Sequence, residues 1–117
     1  MPKSLRTFLD EMRREAPEEV VDISKVVDPS SYDVTAIIKK LADLKKFPIL
    51  IFDRPLNLHG RVSDIKLVMN SEVSLKKIQI ALGVPREMNR TELALECLKR
   101  EGNRIKPALI DKREAPV

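Results

Sequence analysis

The most prominent feature in the pattern of hydrophobic and polar positions along this chain is one continuous apolar run. Residues 49–52 are four large apolar side chains in succession, preceded by Pro48 and followed, after two polar residues, by Pro55. The run is far shorter than the roughly 20 apolar residues that a membrane-spanning helix needs. A continuous apolar run bounded by prolines is typical of a strand that is covered on both faces. We therefore predict that residues 49–52 form the central strand of a sheet.

Four other segments repeat their apolar residues at spacings that place them on one face of a helix. These segments are residues 4–15, 33–46, 74–82 and 90–101. Their predicted buried stripes are, in order, Leu5, Phe8, Leu9 and Met12; Val34, Ile37, Ile38, Leu41 and Leu44; Leu75, Ile78, Ala81 and Leu82; and Leu93, Ala94, Cys97 and Leu98. The pattern predicts four amphipathic helices that pack against the central strand.

Capping residues support these helices, because polar side chains that accept backbone hydrogen bonds stand at each predicted amino end. The predicted caps are Ser4, Asp33, Ser74 and Asn89. Glu92 stands three residues after Asn89, as in a capping box. Pro17 predicts the end of the first helix and Gly83 the end of the third, since proline lacks the amide that continues a helix and glycine tolerates a left-handed backbone.

Two further segments are rich in β-branched and apolar residues. Residues 20–27 predict one strand, bent near Ser24, and residues 62–69 predict another. Together with the central strand, these segments indicate an α/β (α+β) fold: a small mixed β-sheet of three or more strands packed by about four amphipathic helices.

The last part of the chain has no periodic apolar face. Residues 103–117 contain Pro107, Pro116 and one apolar patch at Ala108-Leu109-Ile110. We expect residues 1–102 to form the α/β domain. Residues 103–117 are expected to form an extended arm or linker toward a following domain or a partner subunit, with the patch as its anchor.

The amino-acid composition limits the classes of function that this chain can have. The chain has 117 residues, 43% of them hydrophobic, which suits one domain with a buried core. A single cysteine, Cys97, excludes an internal disulfide, and one cysteine with one histidine, His59, cannot form a structural zinc site. We expect structural roles for both residues. The amino end is charged and amphipathic, unlike a signal peptide, so a cytoplasmic protein is expected.

No sequence motif in the chain indicates an enzymatic activity. The three glycines are dispersed, so no glycine-rich phosphate loop is present, and the patterns CxxC, HExxH and GxSxG do not occur. The 22 Lys and Arg are mixed with 18 Asp and Glu. This composition leaves open a stand-alone basic α/β module that contacts nucleic acid or another protein. Its candidate contact residues are Lys39, Lys40, Lys45, Lys46, Lys76 and Lys77.

Several short segments of this chain, taken in their order, resemble segments of a known protein family. The segments are Leu5-Arg6-Thr7-Phe8-Leu9, Val26-Val27-Asp28-Pro29, Ile37-Ile38-Lys39-Lys40-Leu41, Pro48-Ile49-Leu50-Ile51-Phe52, Met69-Asn70 with Ser74, Ala81-Leu82-Gly83 and Ala115-Pro116-Val117. This ordered set resembles the N-terminal domain of the UbiD family of prenylated-FMN-dependent (de)carboxylases. The chain departs from the family where Lys46 and Phe47 replace a glycine, where Asp53-Arg54 replaces Glu-Asn, and where no glycine precedes Ser74. These departures indicate a divergent branch.

The resemblance implies an N-terminal structural and assembly domain, or a small subunit, of a UbiD-like decarboxylase or carboxylase. Such enzymes act on aromatic or α,β-unsaturated carboxylic acids with prenylated FMN, a divalent metal and a monovalent cation. In that family the catalytic and cofactor-binding residues lie beyond the N-terminal domain. The resemblance therefore assigns no catalytic, cofactor-binding or metal-binding residue to this chain. It implies that the partners are the remainder of the decarboxylase or partner subunits in an oligomer. The short apolar run argues against a membrane partner, and the mixed charges argue against nucleic acid.

Overall fold

Residues 3–115 are described by a computed structural model, and the chain divides into two units between Arg86 and Glu87. The first unit contains, in order, α1 (Leu5–Glu15), β1 (Val20–Ile23), α2 (Asp33–Asp43), β2 (Ile49–Phe52), β3 (Leu67–Met69) and α3 (Leu75–Leu82). The second unit contains α4 (Arg90–Glu101) and the segment after it. The predicted α/β class, with a small mixed sheet and four helices, is confirmed. Within residues 3–115, no helix has the length and apolar character needed to cross a membrane.

The sheet has three strands in the order β1-β2-β3, so the predicted central strand lies in the middle. β1 runs parallel to β2, with Val20 opposite Ile49. β3 runs antiparallel to β2, with Phe52 opposite Leu67. All four residues of β2 are buried, because side chains alternate between the faces of a strand and helices cover both faces here.

Each face of β2 contributes to its own apolar cluster. Ile49 and Ile51 pack on one face with residues of α1 and α3: Phe8, Leu9, Met12 and Ile80. Leu50 and Phe52 pack on the opposite face with residues of α2 and the neighbouring strands: Val34, Ile37, Ile38, Leu41, Ile23, Leu67 and Met69. The first unit is therefore a three-layer arrangement in which the sheet separates α2 from α1 and α3.

Most predicted helix ends are confirmed by their hydrogen bonds. The Ser4 hydroxyl accepts from the Thr7 amide at 3.2 Å, and the Ser74 hydroxyl accepts from the Lys77 amide at 3.3 Å. Asn89 and Glu92 form the predicted capping box, with reciprocal bonds of 2.9 and 2.8 Å. Gly83 has the left-handed backbone, with a φ of 64°, that its position after α3 predicts.

Both outer strands are shorter than predicted. β1 ends at Ile23, and Val27 forms only an isolated parallel bridge with Pro55. Of residues 62–69, only Leu67–Met69 form a strand, while Val62 makes an isolated bridge with Leu56. β-branched residues favour an extended backbone, but a ladder also needs a partner, and β2 offers only four residues for pairing.

The predicted start of α2 at residue 33 is confirmed, but the capping residue and the end of the helix differ from the prediction. Asp33 is the first helical residue rather than the cap, and its carboxylate accepts from the Asp28 amide at 2.8 Å. The helix ends at Asp43 instead of residue 46, because Lys45 adopts a left-handed backbone with a φ of 58°. The amides of Lys45 and Lys46 then bond the carbonyls of Ala42 and Leu41, as in a Schellman ending.

The predicted buried stripe of α3 is also inaccurate. Leu75, Ile78, Ala81 and Leu82 are only half-buried, whereas the deepest residues of this helix are Lys77, Gln79 and Ile80. In the other three helices the stripe residues Leu5, Leu44, Ala94 and Leu98 are exposed. Helical spacing identifies one apolar side, but neighbouring segments decide which part of that side is covered.

Candidate docking surface

After α4 the second unit contains a segment within the predicted arm of residues 103–117, and from here on 'the arm' means its residues 104–111. The arm forms no helix or strand and follows α4 after Gly102. It exposes three large apolar side chains: Ile105 (93% exposed), Leu109 (97%) and Ile110 (61%). Ala108, between them in the predicted anchor patch, is exposed as well. Pro116 and Val117, which the prediction of the arm and the family resemblance include, lie outside the described residues.

The arm combines this apolar surface with positive charge. Arg104 and Lys106 lie within it, and Lys112 and Arg113 follow in a short turn in which the Glu114 amide bonds the Asp111 carbonyl at 2.9 Å. On α4 of the same unit, Leu95 and Leu98 are also more than half exposed. Monomeric proteins rarely expose contiguous large apolar side chains without a partner for them. The arm is therefore the candidate docking surface of this chain.

Lys77 has an unusual position for an ammonium group, because its side chain is fully buried. Its Nζ donates to the backbone carbonyls of Phe47 and Asn70, the latter at 3.3 Å, and lies 3.4 Å from a carboxylate oxygen of Glu19. These partners precede β2, follow β3 and precede β1. Burial lowers the pKa of Lys77, and the Glu19 carboxylate opposes that shift. Lys77 thus joins three segments at one end of the sheet.

A second polar cluster lies at the carboxyl end of α3. The Arg86 guanidinium makes two bonds to the Glu15 carboxylate, at 2.8 and 2.9 Å, and donates to the Gln79 carbonyl at 3.1 Å. Lys3 Nζ donates to the Ile80 carbonyl at 2.6 Å. The hydrogen bond from Arg86 lowers the pKa of Glu15. Cations at a helix carboxyl end satisfy its last carbonyls, so this cluster holds α3 against α1.

The lysines considered for nucleic-acid contact do not form one free surface. Lys77 is buried, which corrects its prediction as a contact residue. Lys39 pairs with Asp43, and Lys76 lies 3.6 Å from Glu18. The three other lysines of the set, Lys40, Lys45 and Lys46, are exposed. Among the residues that the structure describes, only half of the proposed contact set is both exposed and free of a carboxylate partner.

The remaining polar candidates, His59 and Cys97, belong to different units of the chain. His59 lies in an exposed loop, and its amide donates to the Asn57 side chain at 2.9 Å. Cys97 is a free, half-buried thiol on α4. Within the part of the chain that the structure describes, no group of three or more His, Cys, Asp or Glu side chains could hold a metal ion.

Comparisons with protein-family models, curated proteins and solved structures found no match for this chain.

Proposed function

We propose that this chain is the N-terminal structural and assembly domain, or a small subunit, of a UbiD-like decarboxylase or carboxylase. The enzyme would act on aromatic or α,β-unsaturated carboxylic acids. The observation that supports the assembly role is the arm, whose Ile105, Leu109 and Ile110 are exposed in a segment without helix or strand. The enzyme class rests on the ordered resemblance of the short sequence segments to the UbiD family.

The arm supports docking for a physical reason. Burying a leucine or isoleucine side chain contributes about 1.5–3 kcal/mol, and an extended segment can place several such side chains on a partner surface. Arg104 and Lys106 add charge that would select an acidic surface. The proposal assigns prenylated FMN and its metal ions to another part of the complete enzyme, and no catalytic step is derived for the residues of this chain.

The alternative, a basic module that binds nucleic acid, has less support. Lys77 is buried, and Lys39 and Lys76 have carboxylate partners. Nucleic-acid binding through the remaining lysines would weaken steeply as salt rises. Salt-dependent binding of single-stranded RNA by the chain, with loss in a variant that replaces Lys40 and Lys46 by glutamate, would favour this alternative.

A binding experiment tests the assembly role. The chain is mixed with a purified UbiD-type decarboxylase from the same source that lacks an equivalent N-terminal domain, and the complex is measured by sedimentation velocity. Leu109→Asp should weaken the complex at least about tenfold, since about 1.4 kcal/mol corresponds to tenfold in affinity. Leu58→Asp is the matched control, because Leu58 is 95% exposed in a loop of the first unit and should leave affinity unchanged. Equal effects of the two substitutions would contradict docking through the arm.

A separate assay tests the assignment of chemistry to the rest of the enzyme. The isolated chain is incubated with prenylated FMN and a cinnamate-type acid, and carbon dioxide release and flavin retention are measured. We expect neither turnover nor tight flavin binding. Turnover by the chain alone would show that these residues contain a complete active site.

A further inference from the structure

The outer edge of β1 is open in the part of the chain that the structure describes, since β1 pairs with β2 on one side only. The Ile23 carbonyl accepts from the Asp53 amide at 3.0 Å, so the backbone groups of Ile23 point toward β2. Successive residues of a strand point their backbone groups to opposite sides. The amide and carbonyl of Asp22 therefore point away from β2, toward the open edge. They offer hydrogen bonds to an added strand.

An apolar groove lies beside this edge. Val21 and Ile23 of β1 form one wall, and Ala36, Ile37 and Leu41 of α2 form the other, around a volume of about 470 Å³. A second cleft, of about 590 Å³, shares the lining residues Val21, Leu41 and Pro48 with the groove and continues it toward the start of β2. Val21 is 40% exposed, and it lies on the same face of β1 as Ile23, two residues further along the strand. The open edge is thus accompanied by a channel, formed by the apolar groove and the cleft, in which the cleft is lined by both apolar and charged residues.

The rim of this channel is positively charged. Lys40 lines the groove, and Lys45 and Lys46 line the cleft. Within residues 3–115 none of these three ammonium groups has a hydrogen-bond or ion-pair partner. The two acids of the cleft, Glu18 and Glu19, are already paired with Lys76 and Lys77. Three uncompensated positive charges therefore border the apolar floor.

We propose that this edge binds an acidic, extended segment of a partner protein as an additional strand beside β1. The segment would bond the backbone groups of Asp22, place alternate apolar side chains in the groove, and place carboxylates near Lys40, Lys45 and Lys46. Addition of a strand to an open edge is a known mode of peptide recognition, in which the backbone supplies affinity and side-chain pockets supply specificity. The proposal goes beyond the assembly role of the arm, because it concerns the first unit alone.

The charges and the backbone groups favour this occupant over two others. A second copy of the chain, paired through β1, would bring both sets of unpaired lysines to the same side of the joined sheet, and like charges at an interface are unfavourable. An amphiphilic carboxylic acid could fill the groove and meet a lysine, but it could not bond the amide and carbonyl of Asp22 as a strand does. An acidic polypeptide satisfies the apolar, charged and backbone features together.

The test uses a fluorescein-labelled peptide of alternating valine and glutamate, with fluorescence anisotropy as the readout. The parent chain should bind this peptide saturably and should bind a valine–lysine peptide at least about tenfold more weakly. The variant with Lys40→Glu and Lys45→Glu should also lose at least about tenfold in affinity for the acidic peptide. Absence of saturable binding, or equal binding of both peptides, would overturn the proposal.

Substitutions at Asp22 test the backbone contact directly. Asp22→Pro removes the outward amide, whereas Asp22→Ala keeps that amide and loses the same ion pair with Arg13, which makes it a matched control. The proline variant should bind the acidic peptide at least about tenfold more weakly than the alanine variant. If Asp22→Pro does not fold, as judged by circular dichroism, Val21→Trp provides a second test, because it fills the groove without adding charge and should weaken binding to the same degree. Three results would refute the proposal. These are equal affinity of the variants and the control for the peptide, displacement of the peptide by palmitate, and dimerisation of the parent that Asp22→Pro abolishes.

Discussion

Replacing Lys77 with methionine is expected to lower the free energy of unfolding by about 2–4 kcal/mol. Methionine keeps an unbranched apolar stem of similar length, so the substitution removes mainly the ammonium group. The carbonyls of Phe47 and Asn70 lose their donor, and Glu19 loses its nearest cation, which lay 3.4 Å away. An unsatisfied buried acceptor costs about 1–3 kcal/mol.

The expected loss stays below the full cost of the lost hydrogen bonds because two effects offset part of that cost. Two carbonyl acceptors without a donor would cost about 2–6 kcal/mol. The Glu19 carboxylate is about one-third exposed and can regain water, and the variant no longer desolvates an ammonium group. Both effects reduce the loss. The expected value therefore lies in the lower part of the range for breaking a buried polar cluster.

Urea denaturation followed by circular dichroism measures this change. Lys76→Met is the matched control, because Lys76 is the preceding residue of the same helix and its pair with Glu18 is exposed. The control should change stability by less than about 0.5 kcal/mol. A Lys77→Met variant as stable as the Lys76→Met control would refute the reasoning that the buried ammonium group holds three segments together.

The remaining predictions concern the core, a helix end and acid stability. Ile51→Ala should cost about 2–5 kcal/mol in denaturant melts, because Ile51 is buried in the central strand, whereas Ile65→Ala at an exposed position should change stability by less than about 0.5 kcal/mol; equal losses would mean that the strand is peripheral. Lys45→Gly should raise the stability by up to about 1 kcal/mol in thermal melts, since glycine adopts the left-handed backbone without strain, and a loss of stability would contradict the Schellman ending of α2. Arg86 lowers the pKa of Glu15 in the native state. The ion pair of Glu15 therefore contributes fully to the stability at pH values above 4.5, the ordinary pKa of glutamate, and this contribution is lost as the pH falls through the lowered native pKa. Acid titration followed by circular dichroism should thus show a shallower loss of stability below pH 4.5 in Glu15→Gln than in the parent, and coincident curves would contradict this. Burial lowers the pKa of Lys77, so at pH values just below 10.5, the ordinary pKa of lysine, the native state binds fewer protons than the unfolded state. The stability of the parent relative to Lys77→Met should therefore rise with pH in this alkaline range, and a fall in that difference would contradict the lowered pKa.

Interactions between residues that are close in the sequence explain why the positions of the helices and of the central strand could be predicted. The caps at Ser4, Ser74 and Asn89 act within one helical turn, so the residues that form them are adjacent in the sequence. The apolar run at residues 49–52 is bounded by prolines and is buried on both faces, as its composition predicts. Residues 104–111 form neither helix nor strand, as expected for a segment without a periodic apolar face.

Lys77 shows where the sequence alone was insufficient. In the sequence it belongs to a charged pair, Lys76-Lys77, that is typical of an exposed helical face. In the structure, Lys77 points to carbonyls of Phe47 and Asn70, which lie 30 and 7 residues away along the chain. Burial of a charge depends on partners that only the fold brings close, so periodicity could not predict it.

The sequence by itself determined which segments become helices, where the central strand lies and that residues 104–111 form neither helix nor strand. The tertiary structure decided the length of the outer strands, the left-handed ending of α2 at Lys45, and the open edge of β1 beside its apolar groove. The division has a physical reason. Helix caps, prolines and apolar periodicity act between residues that are near in sequence, whereas strand pairing, burial of a charge and the coverage of an apolar face depend on contacts between distant segments.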